Sequence, residues 1–265
     1  MPVLNPIEQG SRTLGGEVPE TLAAAVRDAC AAHYDAARHV FDYARFAQSP
    51  EFSELRMAAR ALADFDAAAL QIGLRLTFWL NVYNALVLHA IVARRALAGV
   101  RAVGDFFTAS QYMVGGHVFS LDEIEHGLLR INAPRLAFGA KPLRRDGPRY
   151  ALAPYMFDER VHFAMYSACR SSPPPAAYAA KGLAESLERA TCDYLSAHVR
   201  LSADGASLLV PKLFDWYAAD FGGKRGVLEF VLSRMQGDDI AAAATRHGLR
   251  LRLRYAEYDW TLNAV

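Results

Sequence analysis

Residues 78–92, FWLNVYNALVLHAIV, are apolar almost all the way round a helix yet carry Asn81, Asn84 and His89. At about 100° per residue, Thr77, Asn81, Asn84 and Leu88 fall in one narrow sector, while Trp79, Leu80, Val82, Tyr83, Leu86 and Val87 cover the rest. A helix with this distribution is expected to be buried on every side. An unpartnered buried carboxamide costs roughly 1–3 kcal/mol, so two on one line imply a polar network inside the core or on the floor of a cleft. Buried polar groups are as a rule hydrogen-bonded, so a structural network and a reactive site both stay open here.

Before this helix the sequence predicts a helical layer. A long amphipathic helix follows Pro19 over 19–47 and a second runs over 50–69, both rich in Ala, Leu, Arg and Glu, which form helices readily. Residues 1–69 are therefore expected to be a helical segment packed on a core domain over 70–265. After the central helix, 112–119 reads as a hairpin turning at Gly115-Gly116. Ser120-Leu121-Asp122-Glu123 then fits the capping box that opens a short helix, the serine bonding an early backbone N–H and the glutamate reaching back.

The stretch 132–154 holds Pro134, Pro142, Pro148 and Pro154 together with Arg135, Lys141, Arg144, Arg145 and Arg149. It reads as a surface loop, with an anion-binding arm as its functional alternative. Beyond it the pattern predicts a buried strand over 160–167, an amphipathic helix over 183–198, a hairpin over 199–210 around Asp204-Gly205, a helix near 226–235 and a strand over 249–255. The expected fold class is α+β. A mixed or antiparallel sheet from strands near 112, 118, 162, 200, 208 and 252 surrounds the central helix over 76–95, and the N-terminal helices cover it.

With 265 residues, 53% hydrophobic content and a formal net charge of +1, the chain is composed like a soluble protein, and nothing in its charge points to nucleic acid. The opening MPVLNPIEQGSR lacks the cationic start and continuous apolar run of a secretory leader. The apolar run over 76–92, interrupted by two asparagines, is short for a membrane span. A cytoplasmic location without membrane partners is the expectation. Cys30, Cys169 and Cys192 are widely spaced, with no CxxC pair, so neither a disulfide framework nor a metal site is expected. Gly115-Gly116 and Gly222-Gly223 are isolated pairs rather than a phosphate-binding fingerprint, and no cofactor is expected.

The chemistry candidates cluster in the middle of the chain. Glu125 lies between Leu121 and Leu129 on the apolar face of the capped helix, and capping explains Asp122 and Glu123 but not Glu125. A carboxylate on a core-facing surface is either paired, with Arg75, Arg130 or Arg160 as candidates, or has its pKa raised, and both conditions recur in acid–base sites. His126 lies at the edge of that face. On the expected strand, His162 shares a face with Ala164 and Tyr166. A Cys169–His162 thiolate pair is disfavoured, because seven extended residues span about 23 Å at ~3.3 Å each. Arg170-Ser171-Ser172 before three prolines makes a rigid turn, either an anion nest or an ordinary strand end.

FWLNVYNALVLH, GGHVFSLDEIEHGLLR, DERVHFAMYSACRSSPPPAAY, PKLFDWYAADF and YDWTLN, in this order, resemble the signature segments of the domain of unknown function 547 family. The resemblance runs over 70–263 and rests most on Asn81, Tyr83, Asn84, His89, Glu125, His126, Arg130, His162, Phe163, Ser171, Pro173, Asp259, Trp260 and Asn263. It implies no particular reaction; members occur as single bacterial domains and as C-terminal parts of eukaryotic multidomain proteins, some beside glutaredoxin-like or leucine-zipper segments. Many relatives place cysteines where this chain has Ser167 and Ser172, and proline where it has Glu159. The cysteine of this segment is Cys169, at a different position, which argues against a thiol as the shared chemistry and for a network of Asn, Glu and His.

Two function classes follow. In the first, a hydrolase- or transferase-like enzyme acts on an unknown small molecule or peptide. Glu125, His162 and His126 are its catalytic candidates, and Asn81, Asn84, His89, Arg160 and Ser171 bind substrate, the two amides donating to a developing oxyanion. In the second, a non-catalytic ligand-binding or protein-interaction domain uses the polar core to fix one conformation.

Overall fold

In the computed structural model, residues 2–6, 17–135, 139–235 and 237–265 are described, apart from the side chains of Asp238 and Leu249. Parts of the opening stretch and of the basic loop lie outside them. The chain divides into two compact units, Met1–Leu183 with Trp260–Val265, and Ala184–Asp259. This division falls at 183/184 and 259/260 rather than at 69/70. Helix is the dominant secondary structure and the strands form small sheets, an α+β arrangement.

The first unit is built on three helices. Val18, Leu22, Ala25, Val26, Ala29 and His33 repeat at helical spacing and form the buried face of α1 (Val18–His33). The expected continuation to residue 47 stops at Tyr34, because the Asp35 carboxylate accepts from the backbone N–H groups of Ala37 and Arg38 and turns the chain. A two-residue ladder follows, β1 (Tyr34–Asp35) against β2 (Val40–Phe41), then the short α2 (Tyr43–Phe46). Helix α3 (Pro50–Ala61) starts where Ser49 accepts from Phe52 N–H at 3.2 Å with proline in the first turn. It ends before 69, as one turn of 3-10 helix at Leu62–Asp64 hands over to a turn held by Asp66. Alanines on α1 and α3 let both helices approach α4 (Arg75–Ala93) closely.

Helix α4 matches the expectation closely: residues 77–91 are all buried. With the turn before it, over 72–93, it is long and apolar enough to cross a membrane, yet 83% of its apolar window lies inside the protein, so it is the core of the unit. At about 25 cal/mol per Å² of apolar surface, its rings and branched chains make it the main source of burial energy here. Trp79 packs edge-on against Phe78 and Phe119 and donates to Leu152 O at 2.8 Å.

After the short α5 (Phe106–Ala109), β3 (Gln111–Val114) pairs antiparallel with β4 (His117–Ser120) in the expected hairpin. Gly115 and Gly116 both have positive φ, +58° and +74°, which a two-residue turn of this hand requires. The capping box is formed as read: Ser120 Oγ accepts from Glu123 N–H at 3.1 Å and Glu123 accepts from Ser120 N–H at 3.0 Å, opening α6 (Leu121–Glu123).

The strand expected over 160–167 is absent. Residues Glu159–Phe163 form a 3-10 helix capped by the Asp158 side chain, and the backbone beyond pairs with a side chain of α4. A short apolar run does not by itself separate strand from helix, and here burial on both faces came from a loop threaded through the core.

The second unit contains α7 (Leu183–His198) from Ala184 on, β5 (Arg200–Leu201), β6 (Ser207–Val210), α8 (Leu213–Trp216), α9 (Gly223–Leu232), α10 (Asp238–His247) and β7 (Arg252–Tyr255). Its sheet is mixed, with β6 antiparallel to β5 and parallel to β7. The expected single sheet is thus corrected: among the described residues, β1-β2, β3-β4 and β5-β6-β7 are separate.

Candidate active site

The two asparagines of α4 act as surrogate strands. Asn81 donates to Tyr178 O at 2.8 Å and accepts from Tyr178 N–H at 2.7 Å. Asn84 donates to Ala164 O and Ala176 O, both at 2.9 Å, and accepts from Tyr166 N–H at 2.9 Å. A loop running through the core must satisfy its backbone groups, and these carboxamides supply the partners that a neighbouring strand would have supplied. The same device recurs at Asn5 on Met113 and at Asn132 on Leu143. The N–H groups of Asn84 are committed to carbonyls, so they hold the chain rather than wait for a substrate oxyanion.

One residue before Asn84, Tyr83 turns toward the capped helix and its hydroxyl donates to Glu125 Oε2 at 3.2 Å. From Ile124 to Leu129 that helix widens into a π-helix: Arg130 N–H bonds Glu125 O at 2.9 Å and Asn132 N–H bonds Gly127 O at 3.0 Å, each five residues back. Such turns are uncommon and concentrate at functional sites. It ends in two consecutive left-handed residues, Ile131 at φ +46° and Asn132 at +60°. A β-branched side chain in that region is an outlier, and the structure retains the strain next to its most densely charged turn. Leu143 closes the arrangement from outside, so near Gly127 that a Cβ there would stand 2.7 Å from Leu143 Cγ.

The turn places Asp122, His126 and Arg130 in one line. Arg130 Nη1 lies 2.7 Å from His126 Nδ1. Guanidinium only donates, so Nδ1 holds the lone pair and the imidazole proton sits on Nε2. That nitrogen faces two carboxylates, Asp122 Oδ1 at 3.6 Å and Glu125 Oε1 at 3.8 Å. His126 and Arg130 are buried, while the Asp122 and Glu125 side chains keep 17% and 13% of their surface accessible. Burial pushes the Asp122 carboxyl above the usual aspartate range; His126 and Arg135 oppose the rise, and Glu125 and Glu123 add to it. Arg135 Nη1 reaches Asp122 at 3.4 Å from the outside, and Arg149 pairs with Glu123 at 2.9 Å. The result is a carboxylate pair around a fixed N–H donor, partly open to solvent.

The other expected site residues fall elsewhere. His89 is buried against Phe52, its Nδ1 is 2.9 Å from the Tyr112 hydroxyl, and Tyr112 in turn donates to Leu86 O. Burial first, then the cations Arg56 and Arg60, lower its pKa to about 4, which marks a neutral core histidine. Arg160 forms a two-toothed pair with Asp158 at 2.9 and 2.7 Å. His162 is buried in the 3-10 helix with Phe157 edge-on at 6.1 Å, two residues before the carbonyl held by Asn84. Ser171 is half-buried in a turn that follows Ala168, itself at φ +60°.

Sequence reasoning assigned Asp122 wholly to capping and so missed its place in the charged line. The four-residue spacing Asp122, His126, Arg130 was the available signal. It also missed the buried cluster in which the Tyr43 and Tyr166 hydroxyls meet each other and Asn263 Oδ1. Cys169 is buried with Sγ 3.2 Å from Ser167 O. Among the described residues no group of three or more His, Cys, Asp or Glu side chains is arranged to hold a metal ion.

A model of the family described as protein of unknown function, DUF547, matches residues 69–195. No curated protein and no solved structure matches the chain.

Proposed function

With residues 69–195 belonging to the DUF547 family, we propose that this domain is an acid–base enzyme, hydrolase- or transferase-like, that acts on a small molecule or peptide at the π-turn. The observation that supports it most is the pair of partly accessible carboxylates, Asp122 and Glu125, flanking one imidazole N–H whose direction Arg130 fixes. Glu125 takes a proton from the attacking group. Asp122, whose affinity for protons is raised by burial, returns one to the leaving group. His126 is not the base in this reading, since Arg130 occupies its lone pair; its Nε2–H is a preoriented donor to developing negative charge.

Support for the second reading, a non-catalytic ligand-binding or interaction domain, comes from Asn81 and Asn84, whose amides bind backbone groups. Turnover decides between them. The full chain is screened against panels of carboxylic esters, phosphate esters, amides and short peptides, alongside Glu125→Gln and Asp122→Asn. The enzyme reading expects one panel to be turned over, with Glu125→Gln lowering the rate by about 10²-fold or more while unfolding stays cooperative. Equal turnover in wild type and both variants would remove the carboxylate pair from the mechanism, and absence of turnover throughout would favour the second reading.

A further inference from the structure

Outside the family match, α1, α2 and α3 border a cleft of about 580 Å³, a size typical of small-molecule sites. Its wall includes His33, Asp42, Arg45, Gln48, Ser49 and Glu51. Charges of both signs line it. Among the described residues Arg45 makes no ion pair, and the Asp42 carboxylate accepts from the backbone N–H of Arg45. Glu51 instead meets His33 Nε2 at 3.2 Å. On one wall, an exposed guanidinium without an ion pair and two carboxylates that do not meet it leave a polar gap that one ligand with both charges would close.

The wall also holds an unsatisfied atom. The His33 ring is packed against Phe41 and Phe46, with ring centres 6.1 and 5.3 Å away, and its side chain is 1% exposed. Nε2 faces Glu51, whereas Nδ1 has no hydrogen-bond partner among the described residues. A buried polar atom without a partner calls for an explanation, and this one belongs to a residue lining the cleft. Glu51 is held below the ordinary glutamate range, first by its own backbone N–H and then by His33 and Ser49, so it offers a fixed negative charge at neutral pH.

We propose that this cleft binds a small zwitterion of the amino-acid or dipeptide type, its carboxylate on Arg45 and its ammonium between Asp42 and Glu51. Arg45 supplies a planar donor fork for the carboxylate. Gln48 and the Ser49 hydroxyl add neutral polar contacts along the wall. The site lies outside residues 69–195 and shares no side chain with the π-turn, so it is a binding function additional to any reaction there.

Four probes of one size test it on the full chain: alanylalanine, its N-acetyl form, its C-terminal amide, and the form with both ends blocked. Binding is read by thermal shift and by amide chemical shifts of Arg45, Gln48 and Ser49, at fixed ionic strength. The expected result is saturable binding of the free dipeptide, at least tenfold weaker binding of each singly blocked form and none of the doubly blocked one. Arg45→Gln, at an exposed residue with no ion pair, should melt as wild type does and weaken the dipeptide at least tenfold. Glu51→Gln tests the ammonium side; if it melts early through loss of the His33 contact, Arg45→Gln still decides. Equal binding of the blocked and free forms, or no saturable shift at millimolar dipeptide, would overturn the proposal.

Discussion

Two buried polar regions, neighbours on α4, use their side chains in opposite ways. Asn81 and Asn84 meet only backbone, three N–H···O and two C=O···H–N contacts between them, with no titratable group involved. At Tyr83, between them in sequence, the helix turns to Glu125 and to a chain of carboxylate, imidazole and guanidinium on a π-turn that ends in a strained isoleucine. Burial makes polar groups expensive in both places. The first region answers with uncharged groups whose pairing does not depend on pH; the second sets charged groups against one another and leaves them partly accessible. Architecture needs only the first arrangement, which is the ground for proposing the second as the site.

The largest loss of stability is expected at Asn84. Asn84→Leu strips partners from Ala164 O, Ala176 O and Tyr166 N–H, and at roughly 1–3 kcal/mol per orphaned group the loss should reach about 3 kcal/mol or more in urea melts. It should be the same at pH 5 and pH 8. A loss that changed strongly with pH would show that the carboxamide serves charged partners after all.

A slightly smaller effect belongs to His89, which sits on the same helix but titrates. Its folded pKa of about 4 lies below the unfolded value, so the folded state binds fewer protons and stability falls as the pH drops from about 6.5 toward 4, by about 3 kcal/mol in total. His89→Asn, which keeps a donor toward Tyr112, should flatten that part of the stability curve. An unchanged slope would mean that the acid sensitivity arises elsewhere.

Asp122 should behave in the reverse sense. Its folded pKa is raised, so the folded state binds the extra proton and stability falls as the pH rises through that value. Asp122→Asn is expected to be more stable than wild type at pH 7, with the difference vanishing once both states of the wild type are protonated. Destabilisation at neutral pH would assign Asp122 to structure.

The scaffold half of this contrast was readable from residues 78–92 because full burial follows from side-chain distribution alone, and Asn84 on that helix had to find partners. Which partners was not readable. Residues 164–166 alternate like a strand, yet their backbone groups bond a side chain from a helix, a long-range pairing with no local signature. The hairpin at Gly115-Gly116 and the Ser120 capping box came through because each depends on residues within a few positions of one another. The π-turn did not: a regular helix and a widened one share the same apolar spacing over six residues, and the insertion is fixed by Asn132 and Leu143 from outside. Hence Glu125 stood out as misplaced on an apolar face, while Asp122, four residues before His126, looked like an ordinary cap.

The most direct test of the π-turn as a site is the thermal stability of Glu125→Gln across pH 5 to 9. If the turn exists for chemistry, the variant should unfold cooperatively and within about 1 kcal/mol of wild type, since Gln keeps an acceptor for Tyr83 and Asp122 still faces His126. A loss of about 3–5 kcal/mol, the consequence of removing one member of a buried charged pair, would contradict the account and make the charged line part of the scaffold.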